Sequence, residues 1–261
     1  MSAFVKCALA ALALVATLFA SGMNGARAEG LVAALSQETV FIQSNFTGAS
    51  LTLFGSIERD AATVGRSGTY DLVVVVRGPD AWPVVRRKGQ IAGVWLNRDA
   101  VRFQGVPTYY AIQSNRPSAE IADEAVLRRY EIGFTNLNFR PAMQVSEEDR
   151  LNFASALVRL RLGNGLFSEA PSGVSFLNEQ VFSTRIHLPS NISTGPYRIE
   201  LYLFRDAALL ARESLHFGVR KTGFEALVFN LSENNPYLYG IACVLLAIAL
   251  GWLAGMMFRQ S

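Results

Sequence analysis

The chain has 261 residues, with 24 Lys and Arg against 21 Asp and Glu and a formal net charge of +3; its pI is near 9.0. Hydrophobic residues make up 51% and charged residues only 17%, which excludes a disordered chain. The composition is also too apolar for an ordinary soluble domain, so part of it belongs to membrane or targeting sequence. A pI near 9 raises nucleic-acid binding as a question that the placement of the charges must answer.

In chain order, Lys6 supplies a positive start and Ala8 to Ala20 form an apolar run broken only by Thr17. Ala26-Arg27-Ala28 then offers the small-x-small pattern read by signal peptidase. This predicts a signal peptide over residues 1–28, cleaved before Glu29. An uncleaved anchor is the alternative, although the run is shorter than the roughly 20 residues a span needs.

Strand patterns follow. Thr39 to Gln43 and Ala49 to Phe54 flank a turn at Asn45-Phe46-Thr47-Gly48. Tyr70 to Arg77 contains four consecutive valines and predicts a buried central strand. Pro83 to Lys88 and Ile91 to Asn97 read as a hairpin turning at Lys88-Gly89-Gln90, and Thr108 to Gln113 as a further strand.

The period then changes. Ser118 to Tyr130 is helix-favouring, with acidic residues early and Arg128-Arg129 late. Ser146-Glu147-Glu148-Asp149 is a helix start and Gly163-Asn164-Gly165 a stop. The apolar stripe between them is Leu151, Ala154, Val158 and Leu162.

Strands return with Val181 to Leu188. Next, Tyr197, Ile199, Leu201 and Leu203 point one way and Arg198, Glu200 and Tyr202 the other. Leu215, Phe217 and Val219 alternate again. This Gly-Pro-Tyr strand and its partner resemble the terminal hairpin of bacterial immunoglobulin-like modules. The expected fold of residues 29–221 is mainly β: an immunoglobulin-like β-sandwich with a two-helix insertion at about 118–163. Two small domains divided near Arg140-Pro141 are the alternative.

Residues 222–236 read as an amphipathic juxtamembrane segment. The uncharged stretch 237–258 predicts a transmembrane helix, with Tyr237 and Tyr239 at one interface and Arg259 beyond the other. The tail 259–261 is then cytoplasmic and the amino-terminal domain periplasmic, in a single-pass protein of the bacterial inner membrane. Cys243, Ala247, Gly251 and Gly255 share one face of this helix and suit close helix packing.

The charge can now be redistributed. Lys6, Arg27 and Arg259 fall in the terminal segments, leaving 21 basic and 21 acidic residues between them. The exported part is formally neutral, and nucleic-acid binding loses its basis. Cys7 and Cys243 also lie in the terminal segments, which excludes a disulfide framework or thiol chemistry between them.

His187 and His216 are isolated, and no nucleophile elbow, phosphate loop or dinucleotide fingerprint occurs. No metal, cofactor or enzymatic activity is expected. The most unusual local cluster is Arg77, Trp82, Arg86, Arg87 and Lys88, followed by Trp95 and Asn97. Three adjacent basic side chains beside aromatics could bind an anion or an acidic partner surface. The plainer explanation is protection of a sheet edge by charge.

The segments Leu31-Val32-Ala33, Phe41 to Ala49, Val75-Val76-Arg77-Gly78-Pro79, Arg86-Arg87-Lys88 and Gly93 to Asn97 carry a resemblance. So does an apolar tail that opens at Tyr239-Gly240 and ends Gly251-Trp252-Leu253-Ala254. Together they are similar to an alphaproteobacterial transmembrane protein family of unknown function. The resemblance implies an exported domain with one membrane anchor, no transferable catalytic residues, and an association with sulfite-exporter-like permeases. The leading expectation is a non-enzymatic accessory protein whose partner is another membrane protein or a second copy of itself. A periplasmic small-oxyanion-binding module is the alternative, and a hydrolase with an unrecognised site the second.

Overall fold

The computed structural model describes residues 30–43, 45–58, 69–91, 93–223, 228 and 231–258. The expected signal peptide, Arg259 and residues 224–227, 229 and 230 of the segment before the anchor lie outside these described residues. The elements are β1 (Gly30–Leu35), β2 (Thr39–Ile42), β3 (Gly48–Glu58), β4 (Asp71–Arg77), β5 (Asp80–Ala81), β6 (Val84–Ile91), β7 (Val94–Gln104), β8 (Val106–Pro107) and β9 (Tyr110–Ser114). Helices α1 (Ser118–Ile121) and α2 (Glu124–Arg129), strand β10 (Arg140–Pro141) and helix α3 (Glu147–Gly163) follow. The chain then forms β11 (Phe167–Ala170), β12 (Val174–Phe176), β13 (Val181–Pro189), β14 (Gly195–Arg205), β15 (Ala208–Lys221) and the terminal helix α4 (Pro236–Phe258).

Two sheets form the sandwich. One has the order β1-β3-β13-β12 and the other β11-β9-β4-β14-β15-β2. This is the A-B-E-D and C′-C-F-G arrangement of immunoglobulin domains. Here β1 and β2 divide the first strand between the sheets, β2 running parallel to β15. Leu51, Leu53, Phe182 and Ile186 from the first sheet meet Leu72, Val74, Ile199, Leu201 and Phe217 from the second in one buried core. The alternation read along Val181 to Leu188 and Tyr197 to Leu203 follows from this half-burial.

A second core lies on the outer face of the larger sheet, where Val73, Val75, Ile112, Tyr202 and Phe204 are covered by Val85, Val101 and Phe103 of the β6–β7 hairpin and by Leu127, Phe153 and Leu157 of the helices. The four valines of β4 are therefore buried on both faces, as an unbroken β-branched run requires. Two insertions supply the cover, residues 80–107 between β4 and β9 and residues 115–166 between β9 and β11.

Three local expectations change. The helix expected over Ser118 to Tyr130 is two helices, because Ala122 is extended at φ −145° and ψ 156°. The break lets Ile121 and Leu127 both reach the second core, whereas one continuous helix would point them to different sides. The insertion thus holds three α-helices, two of them short, and a 3-10 turn at Phe134–Asn136. In α3 the buried pair is Phe153 and Leu157, while Leu151 and Leu162 are exposed. The aromatic ring and its i+4 neighbour fill the space under the hairpin, and the expected stripe supplies only the half-buried margin of Ala154 and Val158. The hairpin does not turn at Lys88-Gly89-Gln90. Gly89 pairs with Leu96 inside the ladder, and the chain reverses between Ile91 and Val94. Gly93 provides the φ of +83° that a tight reversal needs.

Candidate functional site

Arg77 ends β4 on the outer face of the sheet, beside Arg198 and Tyr110 in the ladder. Its Nη1 donates to Glu131 Oε2 at 3.0 Å, and its Nη2 donates to the carbonyl oxygens of Tyr130 and Glu131 at 3.0 and 3.1 Å. Its Nε lies 3.4 Å from Glu200 Oε2, and its guanidinium carbon stands 5.2 Å from the centre of the Tyr110 ring. The Tyr110 hydroxyl donates to the carbonyl of Glu131 at 2.7 Å and accepts from the Gly133 amide at 3.2 Å. Burial is the main cause that raises the Tyr110 hydroxyl well above its ordinary value, so it stays a donor. These bonds hold the turn after α2, where Glu131 has a φ of +52°.

Glu200 is 5% exposed and lies between two guanidiniums. Arg77 approaches one oxygen and Arg212 of β15 donates to the other. Arg212 also spreads over the rings of Tyr202 and Tyr130, at 5.5 and 5.8 Å. Burial is likewise the main cause that pushes the Tyr202 hydroxyl up to about 12.

A cavity of about 730 Å³ opens over this network, walled also by Asp80, Arg128, Arg129 and Arg198. Five arginines and three carboxylates line it, but their roles differ. Arg77 and Arg212 are occupied by Glu131 and Glu200, and Arg128 stands 3.7 Å from Glu124. Arg129 lies over the Tyr130 ring at 5.7 Å. Arg198 has no ion-pair partner among the described residues, so Arg129 and Arg198 are the guanidiniums available to an incoming anion.

The residues singled out from sequence fall in three places. Arg77 belongs to this cavity. Arg86, Arg87 and Lys88 line a separate groove of about 320 Å³ with Asn152, Phe153, Ala156 and Arg159. Within it Arg87 is held by Asp99 at 2.7 Å and Asp149 at 3.3 Å, above the Phe153 ring. Strand β6 is also the edge of its small sheet. Trp82, Trp95 and Asn97 are exposed on the hairpin and its base. The structure therefore brings Arg86, Arg87 and Lys88 together and does not bring Arg77 to them.

Cys243, Ala247, Gly251 and Gly255 are all exposed on α4. Within α4, Pro236–Met256 is long and apolar enough to cross a membrane, with a hydropathy of 2.1.

The residues that sequence reasoning did not single out are Glu131, Arg198, Glu200 and Arg212. A signal for two of them existed, because Arg198 and Glu200 alternate with Tyr202 on the side of β14 opposite the sandwich core. Polar residues on one side of a strand usually face water, and only the insertions turn that side into a cavity wall.

Taken together, the fold and the terminal helix define an immunoglobulin-like sandwich, elaborated by two insertions and carrying, among the described residues, one helix long and apolar enough to cross a membrane. The family described as "Putative transmembrane protein (Alph_Pro_TM)" matches residues 30–260. The chain belongs to that family, and the match covers the sandwich, both insertions and the apolar helix. No curated protein and no solved structure matches the chain.

Proposed function

We propose that the protein is a non-enzymatic accessory protein, with a periplasmic sandwich held to the inner membrane and bound to another membrane protein. The observation that carries this reading is the anchor. In α4 every side chain from Tyr237 to Met256 is exposed except the half-buried Ala242, so its packing faces are left for lipid or for another helix. The face of Cys243, Ala247, Gly251 and Gly255 is the one on which a second backbone can approach closely. At Gly251 and Gly255 an added Cβ would meet nothing within 4 Å, so larger residues there leave this chain's own packing unaltered. Two of the three carboxylates of the main cavity support the non-enzymatic reading, since Glu131 and Glu200 are committed to Arg77 and Arg212.

Affinity purification of the full chain in mild detergent tests the proposal. The wild type is expected to retain a membrane protein or a second copy, and Gly251→Leu with Gly255→Leu to release it. A monomer alone, unchanged by these substitutions, would overturn the reading.

A second reading is favoured by one observation: Arg129 and Arg198 face a cavity large enough for a small oxyanion. Calorimetry on the detergent-solubilised chain with sulfite, sulfate and phosphate should then give binding below millimolar that Arg198→Ala abolishes. Heats indistinguishable from dilution would remove it.

A further inference from the structure

The β6–β7 hairpin is supported only at its base. Val85, Val101 and Phe103 are buried in the second core, and Arg87, paired with Asp99 across the hairpin, also reaches Asp149 of α3. Past that pair Lys88, Gln90 and Val94 to Arg98 are exposed and Gly89 half-exposed, so two strands project with both faces uncovered. A two-stranded ribbon of this kind is marginal in water.

What it presents is specific. Val94, Trp95 and Leu96 are 57%, 66% and 48% exposed at the tip, and Trp82 is 61% exposed near the root. Arg86, Lys88, Arg98 and Arg102 are exposed along the arms. Asp99 is the one acidic residue between positions 84 and 104, and Arg87 neutralises it. An apolar, tryptophan-bearing tip set in cationic arms is the combination that settles in the headgroup region of an anionic bilayer.

Its place in the fold puts a bilayer within reach. The hairpin leaves the sandwich just after Arg77, which pairs with Arg198 near the start of β14. Gly195 and Pro196 at that start pair with Val219 and Gly218 near the end of β15. The root of the hairpin and the exit of the chain toward α4 are therefore at the same end of the sandwich. Residues 222–235 join that exit to the anchor and even fully extended span no more than about 50 Å.

We propose that the β6–β7 hairpin is a second membrane-contact element, laying Val94, Trp95 and Leu96 into the headgroup region of an anionic phospholipid surface beside the anchor. It restricts the sandwich on its tether and presents one side of it to a neighbour in the membrane. The bilayer is favoured over a protein partner because the ribbon exposes apolar and basic groups on both faces, which a lipid surface can surround and a single protein face cannot.

The test uses the full chain carrying Trp82→Phe and Trp252→Phe, so that Trp95 is the one remaining tryptophan. It is reconstituted into vesicles of phosphatidylethanolamine and phosphatidylglycerol, with or without bromine on the acyl chains near the glycerol. The expected result is a blue-shifted emission, quenched about twofold or more by the brominated lipid, as for an interfacial tryptophan. Replacing phosphatidylglycerol by phosphatidylcholine, or introducing Arg86→Glu, Lys88→Glu and Arg98→Glu with an unchanged circular dichroism spectrum, should remove most of that quenching. Emission of a water-exposed tryptophan with no quenching overturns the proposal. A blue shift without quenching overturns it as well, because the tip is then covered by protein. Neither result depends on Gly251→Leu and Gly255→Leu, which read the anchor alone.

Discussion

Glu200 is one buried carboxylate that answers two guanidiniums, Arg77 and Arg212. Glu200→Gln keeps the shape and removes the charge, leaving Arg77 with Glu131 and Arg212 without its carboxylate. The loss is expected to be about 2–4 kcal/mol in denaturant unfolding, below that for a fully buried pair because the half-exposed Arg212 is partly screened by water. Glu124→Gln, which touches the exposed Arg128, should change stability by less than about 1 kcal/mol. Equal effects would mean that water screens the cavity pair as well.

The buried tyrosines set an alkaline limit. Burial first, then neighbouring charge, pushes Tyr202 up to about 12, and burial pushes Tyr197 to about 12; Tyr109 and Tyr110 are raised further. The Tyr109, Tyr110 and Tyr197 hydroxyls donate to the carbonyls of His187, Glu131 and Ser193. An unfolded tyrosine releases its proton near pH 10. The contribution of these groups is therefore full below pH 10 and is lost as the pH rises through 12. Tyrosinate absorbance and loss of circular dichroism should appear together in that window. Titration of these tyrosines at pH 10 with the fold intact would contradict their burial.

Among the elements, α3 is the one whose start is most legible. Ser146 accepts from the Asp149 amide at 3.1 Å, as the capping sequence predicts. Ser146→Ala should cost about 1 kcal/mol, read from the urea midpoint. Which face of α3 is buried was not legible, because the stripe of Leu151 and Leu162 is as regular as the Phe153–Leu157 pair. Only the hairpin lying across the helix chooses between them. The break between α1 and α2 is likewise invisible locally, since the sequence there favours helix and the core requires Ile121 and Leu127 on one side.

At the scale of the molecule, the larger sheet joins two cores. Val74 packs inside the sandwich and Val75, its chain neighbour, under the insertions. With β4 and β14 paired side by side, neither core can open without exposing the other. Val74→Ala and Val75→Ala should each lower one shared unfolding transition by roughly 1–3 kcal/mol. Two resolved transitions, each sensitive to one substitution only, would instead indicate the two domains divided near Arg140-Pro141.

The amino-acid sequence by itself determined most strands of the sandwich, though not β1, β11 or β12, together with the capped helix and the apolar terminal segment. Each of these is a local period, read over a few neighbouring residues and enforced by half-burial, by full burial or by the thickness of a bilayer. It also separated the terminal charges from a formally neutral middle. Tertiary structure alone decided the company that Arg77 keeps. It lies near Arg86, Arg87 and Lys88 in the chain, yet it pairs directly with Glu131 and Glu200 in the wall of a cavity, while those three residues line another groove. Contacts between residues tens of positions apart follow from how the insertions fold back over the sheet, and no local period encodes that path.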